Sequence, residues 1–412
     1  MDVFDALTEV AASRLRASAL APFVQPYWDW LTERRYSPRT LRQYLNCLAH
    51  FGLWAGRRRL ELGTVDARVT DFIDRHLPAC TCATPVQRCR HQAHAALRHL
   101  ATVIRAADPH EPEHDLHDDD PLAQQLRRFD DHLAHARGLA GSTRLRRMAI
   151  VRALLSATPG ATTPSAHALR QFLAQELSRV SAASGGVTAT AVRSYLRYRA
   201  FEGDRVEHLL AVVAAPAHWR LAPLPQTLTA AEVDRLLDAF PADLPSRRRC
   251  HALVRCVVDL GLRSSEAIAL TLDDIDWMAG TIRVSQSKSR RADVLPLPHA
   301  TGAAIAEYVQ HERPQTRSRR IFVRHVAPVD VSVGADVVRR AVRAAYRRAG
   351  LPYTRVHILR HTLASRLLNT GGTLKEVADV LRHRDLDTSL IYAKVDLGRL
   401  SAVAMPWPGS PS

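Results

Sequence analysis

Lysine is almost absent from this sequence: the 412 residues contain Lys288, Lys375 and Lys394 and no other lysine. Arginine therefore supplies nearly all of the 57 basic side chains. A guanidinium keeps its proton in proteins, whereas a lysine ammonium can be tuned to donate one. Lys288 has arginines close beside it in the run 287–291, so we interpret it as a residue with a task that arginine cannot perform. The alternative is a solvated turn.

Long apolar runs and a secretion signal are also missing. No stretch reaches the roughly 18–20 apolar residues of a membrane span, and the first residues, Met-Asp-Val-Phe-Asp, lack the basic start and apolar core of a signal peptide. The 6 cysteines, without a secretion signal, fit a reducing compartment better than a disulfide framework. We therefore expect a cytoplasmic protein with no membrane partner.

Negative charge is in short supply, since 41 acidic residues face 57 basic ones and the formal net charge is +16. This excess favours a polyanionic partner, with nucleic acid as the first candidate. The alternative explanation is a GC-rich genome, which raises the arginine content without any functional meaning. The hydrophobic fraction of 46% is that of an ordinary globular protein, and the length allows two to four domains.

Composition and helical periodicity divide the chain into three blocks and two linkers. The first linker is acidic and rich in histidine, and the second is rich in proline. The predicted boundaries are a helical block at 1–110, a linker at 111–121, a second helical block at 122–215, a linker at 216–227 and a third block at 228–412. The helices of the second block follow the order of those in the first. Tandem duplication and chance likeness between helical segments explain this order equally well.

The third block predicts a mixed architecture. Thr229 and Glu232 have the spacing of a capping box at a helix start. Helices are expected at about 229–240, at 246–260 and from 299 onward, and strands near Ile275, at 281–285 and at 293–297. The predicted fold class is therefore mainly α with a small antiparallel sheet, in which helical N-terminal domains precede an α+β domain.

Two cations in the first half of this block are candidate site residues. Arg263 follows a helix that should end at Gly261, and Glu266 lies one helical turn further on, where it could orient the guanidinium. Most pairs with this spacing are surface ion pairs worth about 0–1 kcal/mol. Lys288 lies at the polar tip between two predicted strands, where a hairpin would project it outward.

The last sixty residues contain histidines, an arginine and a tyrosine in a suggestive order. His357 and Arg360 share one helix face; histidine can exchange a proton near neutral pH, and arginine can clamp a phosphate through two parallel hydrogen bonds. His361 points about a quarter-turn away and is interpreted as structural. His383 and Tyr392 follow on later helices. A tyrosine on such a helix is usually a core residue, and only the accompanying residues favour a nucleophile.

Together these segments resemble the catalytic domain of the tyrosine recombinases, the phage-integrase family. The segments that carry the resemblance are Gly261-Leu-Arg-Ser-Ser-Glu266, the hairpin Lys288, His357-Ile-Leu-Arg-His-Thr362, Leu381-Arg-His383 and Ile391-Tyr392. One position departs from the pattern, because Arg382 stands where the family has glycine. The turn there cannot depend on the freedom of glycine at positive φ. Either His383 is placed differently, or Arg382 adds a phosphate contact.

The resemblance implies a reaction and a role for each residue. Tyr392 would attack a DNA phosphodiester and form a 3′-phosphotyrosine. The bond energy stays in this covalent link, so no cofactor, ATP or metal is expected. The other roles would fall to Arg263 and Arg360 (neutralising the non-bridging oxygens), Lys288 (protonating the leaving oxygen), His357 (general acid and base) and His383 (hydrogen-bonding the phosphate).

The resemblance also implies partners. Double-stranded DNA would be held by the two helical blocks as core-binding-like domains, and a homotetramer would assemble on two DNA sites, with room for accessory recombination proteins. The expected function is site-specific recombination or integration by an enzyme that a mobile element encodes. One alternative is a type IB topoisomerase-like enzyme with the same nucleophile. The other is a DNA-binding protein that no longer cuts, against which the complete set of six residues argues.

A second group of residues has the chemistry of zinc ligands. Cys80, Cys82, Cys89, His91 and His94 lie close together in the first block. The spacing between the first two cysteines is shorter than in most zinc sites, and the residues fall in an expected loop and helix start. Ordinary structural use is therefore the favoured interpretation, and no metal site is predicted.

Overall fold

The computed structural model describes residues 3–56, 65–107, 121–158, 160, 162–214, 224–285, 292–383 and 388–393. The chain divides into two compact units. Unit 1 comprises residues 1–27 and 42–220, and unit 2 comprises residues 28–41 and 221–412. No helix in the described ranges is both long and apolar enough to cross a membrane.

Helices make up most of the described structure. Their bounds are α1 Glu9–Arg16, α2 Ala21–Glu33, α3 Pro38–Ala55, α4 Val65–Asp71, α5 Arg90–Ala107, α6 Pro121–Asp131, α7 Gly141–Ser156, α8 Ala166–Ser178, α9 Ala182–Phe201, α10 Glu207–Val212, α11 Ala230–Asp238, α12 Arg247–Leu260, α13 Ser264–Ala269, α14 His299–His311, α15 Ala335–Arg348, α16 His357–Asn369, α17 Leu374–Val380 and α18 Leu390–Ala393. Two π-helical turns, Phe72–His76 and His132–Ala136, follow α4 and α6.

Unit 1 is helical throughout its described part. In its second half, α9 packs between α7 and α8. Two apolar clusters hold this half together, one around Phe172 and Leu196 and the other around Phe129 and Tyr195. Helices α2–α5 and α6–α9 follow one another in the predicted order. Duplication stays a prediction, as do the domain boundaries, because residues 108–120 lie outside the described ranges.

Unit 2 combines helices with a three-stranded antiparallel sheet of order β1-β2-β3, formed by Ile275–Asp276, Thr281–Val284 and Asp293–Pro296. Ile282 on the central strand pairs with Ile275 on one side and Leu295 on the other. These side chains share the face buried in the core, as the two-residue period of a strand requires. Helix α12 packs against α14, α15 and α16 at the centre of this unit.

The predicted fold class, mainly α with a small antiparallel sheet, is confirmed. The helices expected at 229–240 and 246–260 are α11 and α12, and the three strands lie at the predicted positions. The capping box of Thr229 and Glu232 is present in full. Lys288 lies outside the described residues, and its place at the tip of a hairpin stays a prediction.

Candidate active site

A glycine turn opens the site. Helix α12 ends at Gly261, whose φ of +57° favours glycine. A Cβ at this position would also lie 2.8 Å from Leu381 Cδ2 and 2.9 Å from Leu363 Cδ2, closer than packed atoms come. Both the backbone and the packing therefore require glycine here, and Arg263 follows two residues later.

Arg263 is held by a buried carboxylate. Glu266, 1% exposed, accepts hydrogen bonds from Arg263 Nη1 at 2.5 Å and from the Arg263 backbone N–H at 2.8 Å. Burial alone would raise the pKa of Glu266, but the charges of Arg382 and Arg263 and the backbone hydrogen bond outweigh it and lower that pKa. Glu266 is therefore ionised, and it fixes the guanidinium as the sequence predicted.

Arg382 is the second cation bound to this carboxylate. Its Nη2 donates to Glu266 Oε2 at 2.9 Å, and the side chain is buried. Its backbone has a φ of +55°, the left-handed region that costs a non-glycine residue about 1–2 kcal/mol. The turn thus keeps a conformation suited to glycine although an arginine occupies it. The guanidinium points inward to Glu266, and its backbone carbonyl accepts a hydrogen bond from Arg263 Nη2 at 3.3 Å.

Arg360 lies in the first turn of α16 and is 5% exposed. Its two Nη atoms donate to the carbonyl oxygens of Gly261 and Leu381. Burial and then the neighbouring charges of Arg263 and Arg382 lower its pKa to about 9, so the side chain remains protonated at neutral pH. A guanidinium has five N–H groups, so three remain after these two bonds and can serve an anion.

Tyr392 on α18 is 2% exposed. Its hydroxyl lies 2.9 Å from Nδ1 of His361, and its ring stacks on that of His383 with centroids 6.3 Å apart. Burial raises the pKa of Tyr392 to about 12, while the charge of Arg360 acts against the rise. The hydroxyl is thus protonated at neutral pH and is already hydrogen-bonded to a histidine.

The three histidines around the site are neutral at pH 7. Burial, followed by the charges of Arg360 and Arg263, lowers the pKa of His383 to about 4. Partial burial and the same two charges lower the pKa of His357. Burial, followed by His357 and Arg360, lowers that of His361. His383 Nδ1 also lies 2.6 Å from Ser389 Oγ, which leaves its Nε2 available for a ligand.

Five of the six residues predicted for the site are described: Arg263, His357, Arg360, His383 and Tyr392. The carbonyls of Gly261, Leu381 and Arg382 bind Arg360 and Arg263, His357 lies one turn before Arg360 on α16, and the ring of His383 stacks on Tyr392. Lys288 lies outside the described residues. His361 was interpreted as structural from the sequence, whereas the structure puts it in contact with Tyr392. Its position beside Arg360 gave no signal, because the contact depends on how α18 docks.

Comparison with known proteins leads to the family that the residues of the site suggest. Residues 226–399 match the model of the phage integrase family. A Sinorhizobium fredii (strain NGR234) protein whose name assigns it to the integrases/recombinases, y4rA, is 35% identical over 97% of this chain and 98% of its own length. The chain belongs to the phage integrase family of tyrosine recombinases.

Two further relatives of this tyrosine recombinase extend the comparison. Tyrosine recombinase XerD of Yersinia pestis is 30% identical over 68% of this chain and 95% of XerD. A similar fold is found in the crystal structure of XerH site-specific recombinase bound to palindromic difH substrate, a post-cleavage complex. The match covers 70% of this chain and 96% of XerH, with a TM-score of 0.55 and a sequence identity of 18%. The family consists of DNA strand-exchange enzymes, and this recombinase has their fold.

The structure groups the candidate zinc ligands differently from the sequence. Two of them, Cys80 and Cys82, meet two histidines that the sequence had not suggested. We call this group the Cys/His cluster, and its members are His50, His76, Cys80 and Cys82. Cys89 precedes α5, and His91 and His94 occupy exposed positions on that helix, so these three do not join the group.

Proposed function

We propose that this recombinase cuts and rejoins DNA at specific sites through a 3′-phosphotyrosine at Tyr392. The observation that carries the proposal is the grouping of this tyrosine with two arginines whose orientation is already fixed. Glu266 holds Arg263, and two backbone carbonyls hold Arg360. Such preorganised cations stabilise charge that develops on a phosphate without reorganising during the reaction.

In the proposed first step, the Tyr392 oxygen attacks the phosphorus and the bond from phosphorus to the 5′ oxygen breaks. The tyrosine proton passes to a neutral histidine. The Nδ1 atom of His361 is already 2.9 Å from the hydroxyl. His357, whose pKa is lowered, is neutral at pH 7 and could also accept the proton once the phosphate is bound. Lys288 would return a proton to the leaving 5′ oxygen. The reverse step, attack by a 5′-hydroxyl of another strand, restores Tyr392 and completes exchange.

The two arginines and His383 would bind the scissile phosphate. Arg360 has three N–H groups left after its carbonyl bonds, and its charge is retained at neutral pH. His383, whose Nδ1 bonds Ser389, would donate from Nε2 to a non-bridging oxygen. This division would give the non-bridging oxygens of the phosphate their donors while Tyr392 supplies the nucleophile.

Partners are assigned by the same reasoning. The net charge of +16 suits a DNA ligand, and XerH, which shares the fold, was crystallised with its palindromic difH substrate. We propose that the helical blocks at 1–110 and 122–215 serve as core-binding-like domains and that a homotetramer assembles on two DNA sites. A mobile element is the proposed source of the gene, and accessory recombination proteins are the proposed further partners.

The test is capture of a covalent intermediate. The purified chain is incubated with sheared DNA from its source organism, and SDS-resistant protein–DNA complexes are recovered and sequenced. The recovered site is then rebuilt as a nicked duplex that traps the cleaved strand. Wild type should accumulate a covalent complex with a free 5′-hydroxyl, and Tyr392→Phe should give none. Equal adduct from both proteins would overturn the assignment.

The DNA site recovered in this way also distinguishes the proposed recombinase from a topoisomerase-like enzyme and from a DNA-binding protein that does not cut. A topoisomerase-like enzyme would relax supercoiled plasmid but would not join two duplexes that carry the site. A DNA-binding protein that does not cut would retard the duplex and leave it intact. We expect joined products, with Tyr392→Phe retaining binding.

A further inference from the structure

We propose that the Cys/His cluster of unit 1 binds one Zn²⁺ as a closed, four-coordinate structural site. The inference does not depend on the proposed function, since the cluster belongs to the helical unit and not to the candidate active site. Its four ligand atoms, two imidazole nitrogens and two sulfurs, all lie within 4.8 Å of one another.

The spacing of the atoms fits tetrahedral zinc. The two histidine Nε2 atoms are 3.3 Å apart, Cys80 Sγ is 3.3 Å from His50 Nε2, and Cys82 Sγ is 3.5 Å from His76 Nε2. Zinc bonds of usual length at tetrahedral angles put two nitrogens about 3.4 Å apart and a nitrogen and a sulfur about 3.6 Å apart. Two sulfurs and two nitrogens are also a donor set that selects zinc over harder cations.

Hydrogen bonds alone account poorly for these contacts. The Gln87 backbone carbonyl lies 2.8 Å from His50 Nδ1 and can only accept, so Nδ1 carries the proton. Neutral His50 then has a single lone pair, on Nε2, which faces both His76 Nε2 and Cys80 Sγ. Two donors cannot both align with one lone pair. A single cation between the four atoms would accept that lone pair and one lone pair from each of the other three ligand atoms.

The surroundings supply the outer support that zinc sites require. The bond from His50 to Gln87 fixes the ring orientation, as a carbonyl commonly does for a metal-bound histidine. Arg88 donates to the Cys82 carbonyl at 3.1 Å, and Arg14 of α1 donates to the Ala83 carbonyl at 3.0 Å, so the loop bearing the cysteines is held in place. Phe72 stacks on His76 with centroids 5.1 Å apart and covers one side.

Three chain segments would be joined by the ion. His50 lies on α3, His76 ends the π-helical turn after α4, and the cysteines lie in the loop that leads to α5. Four protein ligands leave no open position for a substrate, so the role is structural. The ion would fix the loop that leads to α5, and the π-helical turn after α4, against α3.

Metal content of the full-length protein tests the proposal. Protein expressed with zinc in the medium, desalted and analysed by mass spectrometry of metals should contain about one zinc per chain. Cys80→Ser combined with Cys82→Ser should lose it. Cys89→Ser and His91→Asn are matched controls, since they change the same residue types outside the cluster and should retain it.

A second measurement covers the case in which the double variant fails to fold. X-ray absorption of zinc-loaded wild type should show a shell of two sulfurs at about 2.3 Å and two nitrogens at about 2.0–2.1 Å. Wild type that stays zinc-free after loading, a shell without sulfur, or loss of zinc in Cys89→Ser equal to that in the double variant would each overturn the proposal.

Discussion

Arg382 affects the stability of the protein in two opposing ways, through its strained backbone and through its buried ion pair. Its left-handed backbone costs about 1–2 kcal/mol, whereas removing one partner of a buried ion pair costs about 3–5 kcal/mol. Both groups of the pair are almost fully buried, so the second energy should dominate. We expect Arg382→Gly to destabilise the protein by about 2 kcal/mol in urea unfolding, although glycine relieves the backbone.

Arg35 provides the matched control for this prediction. It also has a positive φ, +59°, but it is exposed and its described hydrogen bond goes to the Gln315 carbonyl. Arg35→Gly relieves the same kind of strain without removing a cation from a buried carboxylate, so its unfolding free energy should stay within about 1 kcal/mol of wild type. Equal effects of the two substitutions would mean that the Glu266 ion pair contributes nothing.

His383 should make stability depend on pH. Its pKa in the folded protein is about 4, against an ordinary value of 6.5, so between these values the unfolded chain binds more protons. Stability from this group is therefore complete above pH 6.5 and is lost as pH falls towards 4, by at most about 3 kcal/mol. His383→Gln should flatten the dependence of the urea midpoint on pH over this range. A difference between the two proteins that is constant with pH would contradict the assignment.

At the scale of single elements, α17 leads directly into the turn that carries His383. Thr373 and Glu376 form a capping box, with bonds of 2.6 and 3.1 Å, and the helix ends at Leu381, whose carbonyl holds Arg360. Thr373→Ala should cost about 1 kcal/mol of stability. It should also slow formation of the covalent complex, because the end of α17 loses its fixed position.

Thr229→Ala removes a cap of the same kind from α11, which does not supply a residue to the site. The stability loss should again be about 1 kcal/mol, with the cleavage rate unchanged. If the two variants cleave at the same rate, the position of α17 does not limit catalysis.

The elements of unit 2 could be predicted from the sequence because each has a local signal. The capping box of Thr229, the glycine after α12 and the alternation at 281–285 depend on neighbouring residues. The contact between His361 and Tyr392 could not be predicted, since it joins two residues that are 31 positions apart and lie on different helices. The sequence indicated only the two cysteines of the Cys/His cluster for the same reason, because His50 lies 30 positions before Cys80.

At the scale of the whole molecule, the net charge of +16 should dominate encounter with DNA. Each neutralised phosphate releases counterions, so the logarithm of affinity should fall linearly with the logarithm of salt concentration. With 6–10 phosphate contacts, affinity should drop by about 10³–10⁵ between 50 and 200 mM salt. Fluorescence anisotropy with an intact duplex measures this slope, and a nearly flat plot would exclude the phosphate backbone as the main contact.

The enclosure of Tyr392 has a consequence for the cell that carries this protein. A strongly cationic enzyme spends most of its time on chromosomal DNA that does not contain its target. Tyr392 is 2% exposed and its hydroxyl lies 2.9 Å from His361 Nδ1, so under the proposed mechanism a chance encounter would meet a covered nucleophile. Under that mechanism, breakage would be restricted to sites where binding repays the uncovering of Tyr392, and the rest of the genome would be spared.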